Sequence, residues 1–331
     1  MRSYDWLVLV ASLLFIVVYG VWKGRRNRDL DGYILGDRSM RWYTVAFSIM
    51  ATQASAITFI STPGQAYVDG MRFVQFYFGL PLAMVVLSIT AVPLYRRLKV
   101  YTAYEYLEHR FDVRVRSLAA ILFLVQRGLA CGLTIYAPAV VLSVLMGWNL
   151  HLTNVVIGVL VIIYTAAGGT KAASHTNFWQ MVIILGGLVT TLVIAVSLLP
   201  ESVSFTEAIH VAGRMGRLNA IDFSFDWNNR YNFWSGIIGG FFLALSYFGT
   251  DQSQVGRYLS GQSVAQSRLG LLFNGLVKVP MQFVILFVGT MVFVVHQFNA
   301  TPIHFNPVET QRVEASSRAG EFRDLQAEHD A

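Results

Sequence analysis

The chain has 331 residues, 55% of them hydrophobic and 13% charged, with a formal net charge of +6 and a mean hydropathy of +0.51. The charged share is about half that of ordinary soluble domains, which excludes a soluble globular fold and marks an integral membrane protein in a lipid bilayer. The basic balance does not point to nucleic acid, because the lysines and arginines of a membrane protein gather in its cytoplasmic loops.

Eight apolar stretches are long enough to cross a bilayer or come close. They run approximately over Tyr4 to Trp22, Trp42 to Ser61, Phe73 to Tyr95, Leu118 to Met146, Leu152 to Ala167, Phe178 to Leu199, Tyr231 to Gly249 and Leu271 to Val295. The first follows only Met1-Arg2-Ser3 and has no small-residue cleavage site before Lys23, so it reads as a retained span. If the chain crosses at each stretch, alternate loops share a side, and 15 Lys and Arg fall on one side against 8 on the other. That places the Arg25-Arg26 and Arg96-Arg97 loops in the cytoplasm and both termini outside.

The run from Phe47 to Tyr67, which overlaps the second stretch, carries Thr52, Gln53, Ser55 and Thr58 at bilayer depth, and Pro63-Gly64 is expected to close it. Polar side chains and loosened backbone persist at that depth only against protein or a water-filled cavity, and transporters build sites from such broken helices. A tilted helix whose small residues, Ala51, Ala54, Ser55 and Ala56, pack closely is the structural alternative. The third stretch is expected to stop at Pro93, and Gln75 and Gln126 are candidates to face inward.

Arg127 and Lys278 lie inside spans, where a charge costs several kcal/mol unless it meets a partner, water or substrate. Snorkelling competes for Lys278, which sits near the start of its stretch. Asp251 is the competing structural partner for Arg127. Residues 168 to 177, with Lys171 and His175, read as a cytoplasmic loop, and Phe205 to Met215 as a short amphipathic helix in an outward loop. The seventh stretch ends in Tyr247-Phe248-Gly249-Thr250-Asp251, where an acid after an aromatic and a glycine suggests unwinding. The polar tail from Asn299 to Ala331 is expected to be disordered. Cys131, alone in an apolar segment, excludes an internal disulfide.

Several runs resemble the sodium/solute symporter family, which contains the sodium/glucose and sodium/proline cotransporters. Asp31 to Trp42 is similar to its DYFLxGRSxxxW run, Tyr101 to Phe111 to its TAYEYLExRF motif, and Gly168 to Gln180 to its signature GGxxAVxxTDxxQ. In the last, Asn177 stands where most members carry a carboxylate. Tyr247 to Ser260 resembles the WYWxTDQxxVQRxLS run, and Lys278, Pro280 and Gly289 are spaced like KxxPxxxxxxxG with the proline displaced by one.

The resemblance implies an all-α integral membrane protein of about eight transmembrane helices, an incomplete form of the inverted-repeat fold of five plus five helices with broken helices. Residues 1–41 would form an extra helix and cytoplasmic loop, 42–200 the first repeat, 201–230 an outward loop, 231–298 the first two helices of the second repeat, and 299–331 an outward tail. The implied activity is sodium-coupled symport of a small organic solute across the plasma membrane, a bacterial inner membrane. The sodium ion would take backbone carbonyls of Ala51 and Ala54. Solute contacts would come from Gln53, Ser55, Thr58 and Gln75, with Tyr247 capping the site from inside and Lys278 reaching a sugar.

Ala51 to Phe59 also resembles the bacterial sialic-acid branch, in which an arginine matched here by Arg127 pairs with the substrate carboxylate. An acidic sugar or small carboxylate is then the expected solute, since an arginine fork suits a planar carboxylate. The chain is further expected to be an N-terminal portion, from a truncated frame or from a split protein with a separately encoded C-terminal half, and not to transport by itself. A non-transporting fragment, a channel and a membrane sensor remain open. An enzyme is disfavoured: the sequence has no HExxH, no paired cysteines and no GxSxG.

Overall fold

The computed structural model describes residues 3–24, 30–55, 57–299, 303–304 and 306–330. Among them the chain is helical, and its one β-type pairing is an isolated bridge between Met40 and Gly261. Helices α1 (Ser3–Gly24) and α2 (Leu30–Leu35) precede α3 (Trp42–Gln53). The chain then leaves helical geometry at Ala54 (φ −83°, ψ 91°), makes a wide π-type turn over Ile57–Ser61 and resumes as α4 (Thr62–Asp69), the two parts bent by 71°. Ala56 lies outside the described residues. Pro63 does not close this segment. It stands in the first turn of α4, where its missing N–H costs nothing because helix-opening N–H groups have no intrahelical partner.

The next span covers Met71–Leu98 as a 3₁₀ stretch, Met71–Tyr77, then α5 (Leu80–Ile89) and α6 (Ala91–Leu98). Pro93 does not stop it either. A kink at Thr90 (φ −102°, ψ −70°) restarts the helix, so that Pro93 falls in the opening turn of α6. After α7 (Ala103–Arg110), the carboxylate of Asp112 accepts from the Val115 N–H and starts α8 (Val113–Met146).

The fifth and sixth stretches are joined with almost no loop. The helical element α9 (Leu150–Ser197) reverses at Gly169 (φ 60°, ψ −170°), a backbone conformation that glycine alone adopts readily, so the expected loop 168–177 shrinks to that residue and Thr170 to Asn177 are helical. The amphipathic α10 (Phe205–Arg214) follows, opened by a reciprocal capping box between Ser204 and Glu207. The Ser204 hydrogen bonds hold the Glu207 carboxyl below its usual range.

After a π-type turn at Ser235–Gly239 comes α11 (Gly240–Thr250), and the chain unwinds where the acid follows the aromatic and glycine. Asp251 is extended (φ −71°, ψ 115°) and caps α12 (Gln252–Leu259) by accepting from the Ser253 N–H. The long α13 (Val264–Phe298) completes the bundle. The tail is not structureless. Asn306 accepts from the Val308 and Glu309 N–H groups and, with Pro307 at the first position, starts α14 (Pro307–Glu314), which packs on α8 and is followed by α15 (Ala319–Asp330).

Among the described residues four helices are long and apolar enough to cross a membrane: Met71–Leu98, Val113–Met146, Ala173–Ser197 and Val264–Phe298. The bent pair Trp42–Asp69 and the shorter apolar helices Val10–Gly20, Leu150–Ile163 and Ser235–Thr250 account for the other four stretches. The chain is a multi-pass membrane protein. Its interior is organised by α13, the most buried of the long spans, which touches α3, α4, α5, α9 and α10. Glycine allows the closest approaches: a Cβ on Gly289 would lie 2.0 Å from the Pro63 carbonyl oxygen, and one on Gly79 2.1 Å from the Phe241 nitrogen.

Candidate functional site

The first break, at Ala54, comes together with the third span, α8 and α11 around a cavity of about 380 Å³. Thr52, Gln53 and Ser55 line it from the first break, Phe76, Tyr77 and Leu80 from the third span, Arg127 and Thr134 from α8, and Gly240, Leu243, Ala244, Tyr247 and Phe248 from α11. The break supplies the polar side. Gln53 lines the cavity, and among the described residues its buried Nε2 has no protein hydrogen-bond partner.

Arg127 lies 14 residues into α8, about 21 Å along the helix and far from the start of the span. Its Nη2 donates to Asp251 Oδ2 at 2.6 Å and also to Ser253 Oγ, while its guanidinium carbon sits 5.8 Å from the centroid of the Tyr247 ring. Asp251 in turn accepts from the Ser253 N–H at 2.8 Å and from the Ser253 hydroxyl at 2.5 Å through Oδ1. The Tyr247 hydroxyl accepts from Gln254 Nε2 at 2.8 Å. The arginine is therefore already neutralised by the carboxylate foreseen as its structural partner, yet its side chain stays one-third exposed and borders the cavity.

Four of the residues singled out in the sequence, Gln53, Ser55, Arg127 and Tyr247, meet at this cavity; three do not line it. Thr58 donates through Oγ1 to the Gln53 carbonyl at 3.2 Å and so ties the break shut on itself. Gln75, fully buried, donates to the Tyr231 carbonyl at 3.0 Å and accepts from the Asp222 N–H at 2.9 Å, clamping the loop between α10 and α11 onto the third span. Lys278 is also 14 residues into its helix and only 1% exposed, which removes the snorkelling reading. Its Nζ lies 5.6 Å from the ring centroid of Tyr77, whose side chain borders the cavity.

Asn274 and Gln282 stand one helical turn either side of Lys278 on the same face of α13 and are fully buried. The sequence reading passed over this ladder, although its four-residue spacing was visible. Asn274 Oδ1 and both amide atoms of Gln282 have no protein partner among the described residues.

A second cavity, of about 370 Å³, lies on the other side of the break and is bordered by Ala54, Ser55, Phe59, Thr191 and Val288. The Ala51 carbonyl accepts from the Ala54 N–H at 3.0 Å, which leaves it a second lone pair. Carbonyl and hydroxyl oxygens are the donors a hard cation takes, and the C-terminal end of α3 adds the negative end of its dipole. Ala54, Ser55 and Thr191 thus bring to this cavity the donor types that sodium takes, and Ala51 stands just before it at the end of α3. No cluster of three or more His, Cys, Asp or Glu able to hold a metal occurs among the described residues.

A third cavity, of about 470 Å³, opens toward the basic loop between α6 and α8. Tyr95, Tyr104, Tyr106, Gln126, Leu243, Tyr247, Thr250 and Asp251 are among its walls. Burial pushes the Tyr104 phenol up to about 12, so it presents a neutral hydroxyl at physiological pH.

The model of the sodium:solute symporter family matches residues 33–319. The chain belongs to that family. The sodium:solute symporters it resembles include the Homo sapiens sodium/iodide cotransporter, 32% identical over 275 residues, covering 82% of this chain and 42% of the relative. The Xenopus laevis sodium-coupled monocarboxylate transporter 1 is 32% identical over 284 residues, covering 82% and 44%. Among solved structures, the substrate-bound outward-open state of a Na+-coupled sialic acid symporter superposes with a TM-score of 0.83 at 26% identity, covering 92% of this chain and 64% of that one. The chain thus spans less than half the length of these curated relatives. All three are named as sodium-coupled transporters and none as an enzyme.

Proposed function

We propose that this segment holds the solute cavity, and part of the sodium site, of a sodium-coupled symporter for a small organic anion. The observation that carries the reading is the cavity beside the first break, which Arg127 and Gln53 both line. Iodide, monocarboxylates and sialic acid, for which the relatives are named, are all anions at neutral pH. The solute is an acidic sugar or small carboxylate bound by Arg127 and Gln53, with Ser55 and Tyr247 at its edge. Lys278 acts through Tyr77, and Thr58 and Gln75 act by shaping the break and the outward loop. Sodium is held by carbonyls at Ala51 and Ala54. The protein sits in the plasma membrane, a bacterial inner membrane, with the basic loops around Arg26 and Arg97 in the cytoplasm.

The test is equilibrium binding of labelled lactate and N-acetylneuraminate to the chain in lipid nanodiscs. Arg127→Lys is expected to weaken binding of at least one of them about tenfold, because a point charge replaces a planar fork and a charged hydrogen bond is worth about 1.5–3 kcal/mol. Unchanged affinity in Arg127→Ala, or equal binding of the neutral lactamide, would overturn the anionic reading.

A further inference from the structure

Arg127 and Asp251 are bonded to each other but face different spaces. Arg127 borders the 380 Å³ cavity, Asp251 borders the 470 Å³ cavity on the basic side, and Leu243 and Tyr247 are walls of both. The partition between the two cavities therefore consists of Tyr247, Leu243 and this ion pair. We infer that Asp251 is a built-in competitor for the anion's place on Arg127, and that an arriving carboxylate opens the partition by displacing it. The inference rests on the proposed anion site and adds to it a specificity-determining residue and a consequence of binding.

The chemistry supports an exchange of partners. A carboxylate solute offers the guanidinium the same pair of oxygens that Asp251 offers, so one ion pair replaces another without leaving a buried cation unpaired. A neutral solute cannot make that exchange, because separating Arg127 from Asp251 would leave two uncompensated charges. The pair is thus a filter as well as a partition.

Asp251 is suited to being released. It is the extended junction residue between α11 and α12, with non-helical backbone, and Ser253 gives it two hydrogen bonds that do not involve Arg127. Once freed, its carboxylate borders the basic-side cavity together with the Tyr104 and Gln126 side chains. An anion that moves past Tyr247 then meets a like charge, which favours its departure.

The experiment uses the full chain in proteoliposomes, with Cys131→Ser and a reporter Ala244→Cys in the wall of the solute cavity, labelled from the basic face by a small charged methanethiosulfonate. Lactate and N-acetylneuraminate are the probes, and lactamide is the neutral control. Asp251→Asn is expected to bind the carboxylate probe about tenfold tighter, as when a competitor occupying the group about nine-tenths of the time is removed. It should also label rapidly without any probe, whereas the unsubstituted pair labels slowly until the carboxylate is added. Asp251→Glu, which keeps the pair, should retain the slow, probe-dependent labelling. Ser253→Ala, which removes a hydrogen bond that supports the freed Asp251, should shift both readouts away from the Asn direction, toward slower labelling and weaker carboxylate binding, and it serves if Asp251→Asn does not fold.

Weaker carboxylate binding in Asp251→Asn would overturn the competition and make Asp251 a supporting residue. Probe binding without any change in labelling would overturn the partition. If no carboxylate binds even to the unsubstituted pair, the anion site itself fails, and slow labelling of Asp251→Asn without probe would then sink the partition independently.

Discussion

Gly289 faces the start of α4, just past the first break, across a contact as tight as any that a glycine makes among the described residues, and adding one methyl group there tests whether α13 fixes the geometry of the break. In Gly289→Ala the new carbon would start 2.0 Å from the Pro63 carbonyl oxygen, 2.7 Å from its carbonyl carbon and 2.8 Å from its Cα, all of them backbone. Since a Cβ essentially never approaches a heavy atom closer than 3.0 Å, α13 and α4 must separate by about 1 Å. No flexible side chain can absorb the clash. A gap of that size forfeits a quarter to a half of each contact along the interface, and overpacking typically costs about 1–3 kcal/mol. Gly128 in α8 has nothing within 4 Å of a built Cβ, so Gly128→Ala should be neutral or gain about 0.5–1 kcal/mol from helix propensity. The pair should therefore differ by about 1–4 kcal/mol in denaturant unfolding, and Gly289→Ala should also weaken solute binding because Gln53 and Ser55 move with the break. Equal stability of the two variants would refute the claim that α13 holds the break in place.

Gln75→Leu removes the hydrogen bonds to the Tyr231 carbonyl and the Asp222 N–H, which should cost about 2–4 kcal/mol of stability. Carboxylate affinity should be preserved, because Gln75 lies outside the cavity; a tenfold loss of affinity would return it to the site. The loop between α10 and α11 should also respond to acid. Hydrogen bonds from the Ser224 side chain and backbone, then Arg72 and Asn229, hold the Asp222 carboxyl below its usual value. A depressed folded value means that the stabilisation is complete above the ordinary carboxylate range near 4 and is lost as the pH falls through the lowered value. Hydrogen exchange across residues 220–231 should accelerate below about pH 4, and an unchanged rate down to pH 2 would contradict the assignment.

The sequence carried the number and order of the apolar segments because hydropathy reports lipid contact directly. It also located both breaks, since hydroxyls, an amide and an acid at bilayer depth require an inward face. The prolines were less legible. Pro63 and Pro93 read as stops, yet each occupies an opening turn, where the lost N–H is harmless; whether a proline ends a helix or begins one depends on the backbone immediately before it. Gly169 compressed a ten-residue loop into one residue by taking a positive φ, which composition cannot register. The tail helices are local features, signalled by Asn306-Pro307 and obscured by a polarity that suggested disorder. Within the site, Arg127 stood out as a charge in an apolar run and Asp251, 124 positions away, as its structural partner, and the fold bonds the two directly.

Ser55 borders both the solute cavity and the cavity beside Ala54, which makes it the shortest physical link between a bound anion and a bound cation. The break gives each side a different electrostatic character: the carbonyl end of α3 favours a cation, and Arg127 favours an anion. Opposite unit charges about 10 Å apart at an effective dielectric constant of about 20 attract by about 1.7 kcal/mol. Sodium should therefore raise carboxylate affinity about tenfold to twentyfold, and by linkage the carboxylate must raise sodium affinity by the same factor. Choline at equal ionic strength should not substitute, because it cannot be coordinated by the small carbonyl and hydroxyl set. Ser55→Ala removes a hydroxyl shared by the two cavities and should reduce the coupling while leaving α3 and α4 folded. Titrations of lactate at several sodium concentrations, and of sodium at several lactate concentrations, measure the factor from both directions. A carboxylate affinity independent of sodium would break the electrostatic link, and the two cavities would then have to be read as separate features of the helix break.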